Sequence, residues 1–117
     1  MLIEMTRFRV RSGAEERAAE WMDFLRSNPN AFRETLEPEQ MYVETIFSEV
    51  VEGVMYLYWY SVQGEGRRSI RDSQHWLDVR HLEFWRECID RDFPPQGLTP
   101  QVHVVPERVE SAMRPLL

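Results

Sequence analysis

Cysteine is nearly absent from this chain: Cys88 stands alone, so no internal disulfide can form, and a reducing compartment, the cytoplasm, is the expected location. No apolar run approaches the roughly 18 residues of a membrane-spanning helix. The opening Met1-Leu2-Ile3-Glu4-Met5-Thr6-Arg7 interrupts its apolar residues with charge before a signal-peptide core can build up. Neither membrane insertion nor secretion is therefore expected. Basic side chains are outnumbered, 14 against 20 acidic, for a net charge of -6. A field of that sign repels phosphate backbones, so nucleic acid is not an expected partner. No repeat, low-complexity tract or linker marks off a second domain.

What is present is enough for one core. The chain has 117 residues, 43% hydrophobic and 12% aromatic, close to the commonest size of a single domain. One domain over residues 1–106 is expected, followed by a tail, 107–117, in which no pattern is legible. Leu2 to Val10 has the length and composition of a strand. Ser12-Gly13-Ala14-Glu15 has the spacing of a capping box and predicts a helix start there. Ala18, Trp21, Met22 and Leu25 then follow the i, i+3, i+4, i+7 rhythm of a buried stripe, with Glu16, Arg17, Glu20 and Asp23 on the wet side. Asn28-Pro29 predicts a break and a new short helix through Leu36, because proline suits a first helical position and no later one. Gln40–Val50 and Val54–Val62 read as a hairpin around Val51-Glu52-Gly53. Gln63 to Arg68 reads as a loop, with a helical turn near Ile70–Asp72. A longer helix is expected over Trp76–Arg91. Pro94-Pro95-Gln96-Gly97 breaks the chain again, and Gln101–Val105, β-branched between two prolines, reads as a final edge strand.

The second hairpin strand is bulky on both faces: Tyr56, Tyr58 and Tyr60 alternate with Met55, Leu57 and Trp59. Helices of a two-layer domain cover one face only. A second copy of the chain covering the other is the economical solution, and a homodimer is expected.

Three residues come closest to chemistry. His81 falls near the middle of the apolar face formed by Leu77, Leu82, Phe84, Trp85, Cys88 and Ile89, and Asp78 lies one turn before it on that face. An imidazole and a carboxylate at this spacing can couple as a general base or hold one tautomer. The competing reading is structural: if Gln74 or His75 caps the helix, Asp78 serves its free amides and dipole, and His81 is a satisfied core histidine. His75 and His81 are turned about 120° apart on a regular helix, unlike an i, i+4 zinc pair. His103 would have to join one of them, with Glu44 or Asp78 as an oxygen ligand, for a metal site, and nothing in the sequence brings them together. Cys88 lies roughly 10 Å along the helix from His81, too far for a thiol–imidazole pair. Gly64-Glu65-Gly66-Arg67-Arg68 lacks the glycine fingerprint of a phosphate cradle. Tyr58 in a partly apolar cleft could orient a small organic ligand, and Glu44, the one acid within Tyr42–Phe47, needs a partner if it is buried.

Tyr42-Val43-Glu44-Thr45-Ile46-Phe47, the tyrosine strand Tyr56–Tyr60, and His75-Trp76-Leu77-Asp78-Val79-Arg80-His81 with Phe84 and Cys88 resemble an uncharacterised family of short bacterial proteins within the dimeric α+β barrel superfamily. The resemblance spans roughly residues 2–92. In that family's pattern proline follows the first histidine, where this chain has Trp76. It implies a ferredoxin-like βαββαβ fold, a four-stranded antiparallel sheet with helices on one face, but no reaction, substrate or cofactor. The expected function is a homodimeric small-molecule-binding domain, as an enzyme or a binder, with His81, Asp78 and His75 at the polar end of its pocket and Tyr58 and Glu44 as ligand contacts. The first alternative is a structural or protein-interaction dimer without activity, and a haem- or metal-binding barrel is the second.

Overall fold

The computed structural model describes residues 1–64 and 73–114. In chain order these form β1 (Leu2–Arg9), α1 (Glu15–Ser27), α2 (Pro29–Leu36), β2 (Met41–Val51), β3 (Val54–Gln63), α3 (Trp76–Cys88), β4 (Gln96–Leu98) and α4 (Glu107–Met113). The fold is α+β. Its four strands make one antiparallel sheet in the order β2-β3-β1-β4. Since β1 and β2 each run antiparallel to β3, they are parallel to each other, split apart by β3.

The hairpin is as the sequence predicts. Glu52 and Gly53 both take positive φ, 51° and 79°, the conformation that matches a two-residue turn to the twist of its strands. A Cβ at Gly53 would touch nothing, so the cost of a side chain there is conformational. Gly53→Ala is expected to lower stability by about 1 kcal/mol with the urea m-value unchanged.

Other elements depart from expectation. The Ser12–Glu15 capping box does not form, because the helix begins at Glu15 itself and so places that glutamate at the first position instead of the third. Glu15 Oε2 instead accepts from Gly13 N–H, two residues before it, at 2.9 Å. The final strand is Gln96–Leu98, paired as Met5↔Leu98 and Arg7↔Gln96, and not Gln101–Val105, which enters no ladder among the described residues. The chain is fixed beside β1 before it reaches those residues, by the Val10↔Ile89 bridge and by Arg9 bonded to Asp90 through Nε (2.9 Å) and Nη2 (2.7 Å). The tail contains a short helix, α4, that buries none of its residues. Gln63 of the expected Gln63–Arg68 loop still belongs to β3, while the rest of that loop beyond Gly64 and the turn at Ile70–Asp72 lie on residues 65–72, outside the described residues.

Val10, Ala18, Trp21, Leu25, Leu57, Leu77, Phe84, Cys88 and Ile89 form the core between the helices and one sheet face. Trp21, fully buried, is surrounded by rings: Trp59 at 5.4 Å, Trp85 at 5.6 Å and Phe84 at 6.4 Å between centroids. Such offset and edge contacts add to the area the rings bury. The alternation expected of β3 holds, with Leu57, Trp59 and Met55 packing on the helical side. Tyr56, Tyr58 and Tyr60 are half-buried on the far side, where the guanidinium of Arg7 lies 4.6 Å from the centre of the Tyr56 ring.

Candidate functional site

Helix α3 sets the site. Its N-cap is His75, whose Nδ1 accepts from Leu77 N–H at 3.1 Å while Nε2 meets Glu34 Oε2 at 2.8 Å. An imidazole that accepts from the first turn satisfies a donor the helix leaves open. It also fixes where Asp78, the third helical residue, points. Asp78 is 2% exposed and His81, almost one turn further, is 6% exposed.

These two do not pair with each other. His81 Nδ1 accepts from the Trp21 indole N–H at 2.8 Å, which leaves the proton of a neutral ring on Nε2. Burial pushes the imidazole down to about 4, so it is uncharged at neutral pH. Asp78 instead lies beside Glu39, in the short link between α2 and β2, close enough to act on its carboxyl. Glu39 is 8% exposed. Burial, the charges of Asp78 and Glu44, and the hydrogen bond with Asp78 push its carboxyl up to about 8. Among the described residues Glu39 Oε1 and Asp78 Oδ2 have no hydrogen-bond partner.

Glu44 has the partner its position in β2 demands, the Trp59 indole N–H at 2.7 Å. Burial raises its carboxyl pKa, the indole bond opposes that, and the nearby charge of Asp78 adds to it. Tyr42 Oη, enclosed and without a partner among the described residues, lies where a Cβ on Gly64 would meet it at 3.0 Å. Burial raises its phenol pKa too.

Of the residues singled out from sequence, Asp78 and Glu44 thus meet in one electrostatic cluster, His81 lies behind it in the aromatic core, and His75 holds the helix start. Tyr58 is elsewhere: it alternates with Trp59, lies on the far face of the sheet and donates to Glu49 Oε2. Sequence reasoning missed Glu39. In Glu37-Pro38-Glu39 it has the signature of a solvated turn, yet the folded chain buries it near Asp78 and Glu44. Trp21 was legible as core and not as the donor that occupies His81. Among the described residues no group of three or more His, Cys, Asp or Glu converges to hold a metal ion. A cleft of about 270 Å3 lined by Arg9, Ser12, Glu15, Gly53 and Asp90 sits at the hairpin end, away from this cluster. No helix of the described residues is long and apolar enough to cross a membrane.

No curated protein and no solved structure matches the chain. A family of unknown function, DUF6176, matches residues 1–111, nearly the whole length, and the chain belongs to it.

Proposed function

We propose that the protein is a homodimeric small-molecule-binding domain whose polar centre is the Glu39–Asp78 carboxyl pair, and that this pair transfers a proton to or from a bound organic compound. One observation carries the reading: two carboxyl groups 8% and 2% exposed each keep an oxygen without a partner among the described residues. Burying such groups unsatisfied costs roughly 1–3 kcal/mol each, and exceptions of this kind concentrate at functional sites. Two carboxyls held this close retain one proton between them in preference to ionising together. Glu39, pushed up to about 8, carries that proton near neutrality, so the pair offers a donor and an acceptor side by side. Glu39 gives its proton to a basic atom of the ligand, and the ionised pair takes one back from the ligand or from water.

His81 then acts as a positioning residue, a neutral acceptor that holds Trp21 against Trp59, the indole that in turn holds Glu44. The split order of β1, β3 and β2 supports a ferredoxin-like fold. The far face, with Tyr56, Tyr58, Tyr60 and a 51% exposed Phe47, supports a dimeric α+β barrel in which a second copy covers it. Cys88, fully buried with its thiol pushed up to about 11, needs no partner, in keeping with the cytoplasm.

A non-catalytic interaction module is the second reading, favoured by the structural partners that both His75 and His81 already have. Carboxyl-carbon NMR separates the two. Glu39 is expected to titrate near pH 8, and at least one compound of a library of small organic amines, alcohols and acids is expected to move both the Glu39 and Asp78 signals. If Glu39 titrates with the surface glutamates and no compound shifts either signal, the interaction module replaces this proposal.

A further inference from the structure

The sheet has two ends open to pairing. β2 is an edge strand of 11 residues bonded to β3 on one side only, and its sequence carries no proline to blunt the free side. At the opposite edge the chain leaves β4 through residues 99–105, which enter no ladder among the described residues. Its exposure alternates as a strand's does: Val102 and Val104 are 84% and 82% exposed, while His103 and Val105 are partly covered. Two valines so bare on a β-branched segment are unusual unless something covers them.

The segment cannot easily serve its own β2. The order β2-β3-β1-β4 puts three strand spacings, about 14 Å, between them. A second copy solves the geometry. If two sheets pack by their far faces about a two-fold axis parallel to the strands, the order reverses and each β4 lies opposite the partner's β2. The gap becomes one sheet separation, about 10 Å, which Leu98 to Pro100 span, leaving Gln101–Val105 free to pair. Direction also agrees. β4 runs antiparallel to β2 within one chain, and a two-fold axis along the strands preserves direction, so the segment meets the partner's β2 antiparallel. The level is set by Leu98↔Met5↔Tyr60↔Thr45, beyond which the chain advances toward the Met41 end of β2.

We infer that residues Gln101–Val105 of each copy add as a strand to the Met41–Thr45 edge of the other, closing the dimer by reciprocal exchange. The occupant is a second copy because both unpaired elements belong to this chain and a two-fold axis satisfies both at once, whereas open-ended addition would build a filament. The inference rests on the dimer reading above and adds to it where the sheets join.

A mixed dimer tests it directly. A chain bearing Val104→Cys with a nitroxide label, the native Cys88 being buried beyond reach, is mixed with isotope-labelled wild-type chain, and amide signals are read in the labelled copy. Preferential loss of signal at Met41–Thr45 is expected. In the full-length Val102→Asp/Val104→Asp variant, β2 amides not bonded to β3 are expected to exchange at least tenfold faster than in wild type, with β1 and β3 protection retained as proof of folding. A wild-type dimer by light scattering with neither the signal loss nor the change in exchange overturns the strand addition and leaves the dimer standing. A wild-type monomer at micromolar concentration overturns both. A monomer with protected β2 amides shows that the chain closes on itself and also overturns the exchange.

Discussion

Glu39→Gln is expected to stabilise the protein at pH 8 by on the order of 3 kcal/mol and to change stability at pH 5 by less than about 1 kcal/mol. The sign follows from the direction of the shift. Glu39 has its carboxyl raised from 4.5 to about 8 by burial and by the charges of Asp78 and Glu44. Between those values the folded chain holds a proton that the unfolded chain has lost, so stability falls as pH rises through this window. Glutamine removes the ionisation, keeps the shape, and its amide can donate to Asp78 as the protonated acid did. Glu44, raised in the same direction, continues to titrate in the variant, so the slope is reduced and not abolished. Urea melts of both proteins from pH 5 to 8.5 measure the difference. Curves that stay parallel across the range would show that Glu39 ionises freely and that no shared proton exists.

What could be read from the sequence was what local chemistry decides. The hairpin is set by Glu52-Gly53, the break between α1 and α2 by Pro29, and the core face of α3 by residues three and four apart. The misplaced last strand shows the opposite case. Gln101–Val105 has better strand composition than Gln96-Gly97-Leu98, yet pairing with β1 goes to the latter, since Arg9–Asp90 and Val10–Ile89 deliver the chain to that edge first. Contacts between residues some 80 positions apart leave no local signature. The site divides the same way. Asp78 and Glu44 were legible because acids on apolar faces are conspicuous. Glu39 was not, because one of the carboxyls that it is buried beside, Asp78, comes some 40 residues later in the chain. Spacing suggested a His81–Asp78 pair, but one helical turn makes a meeting possible without making it win. The Trp21 indole reaches His81 from another helix, and each group of that would-be pair takes a partner from elsewhere in the fold.

His81 gives the complementary prediction. Its imidazole is lowered from 6.5 to about 4 because the aromatic core offers no solvation to a cation. A lowered histidine favours the state that binds fewer protons, so its contribution is complete above about pH 6.5 and is lost as pH falls toward 4, by about 3 kcal/mol in all. Glu39 slopes the other way over pH 4.5 to 6.5, so the wild-type profile partly conceals both. Substitution separates them. His81→Gln retains an acceptor for the Trp21 indole without a group that can be protonated, and is expected to stay within about 1 kcal/mol of wild type at pH 7.5 and to gain on wild type by about 2–3 kcal/mol as pH falls to 4.5. His81→Phe should gain on wild type by the same amount toward acid pH but cost about 1–3 kcal/mol at pH 7.5, where it leaves the buried indole N–H unpaired. Tryptophan-fluorescence urea melts at pH 4.5, 6 and 7.5 distinguish the three proteins. A glutamine variant whose profile stays parallel to that of wild type from pH 7.5 to 4.5 would mean that His81 charges inside the fold, and the neutral Trp21–His81 bond could not then be what holds the aromatic core against the carboxyl pair.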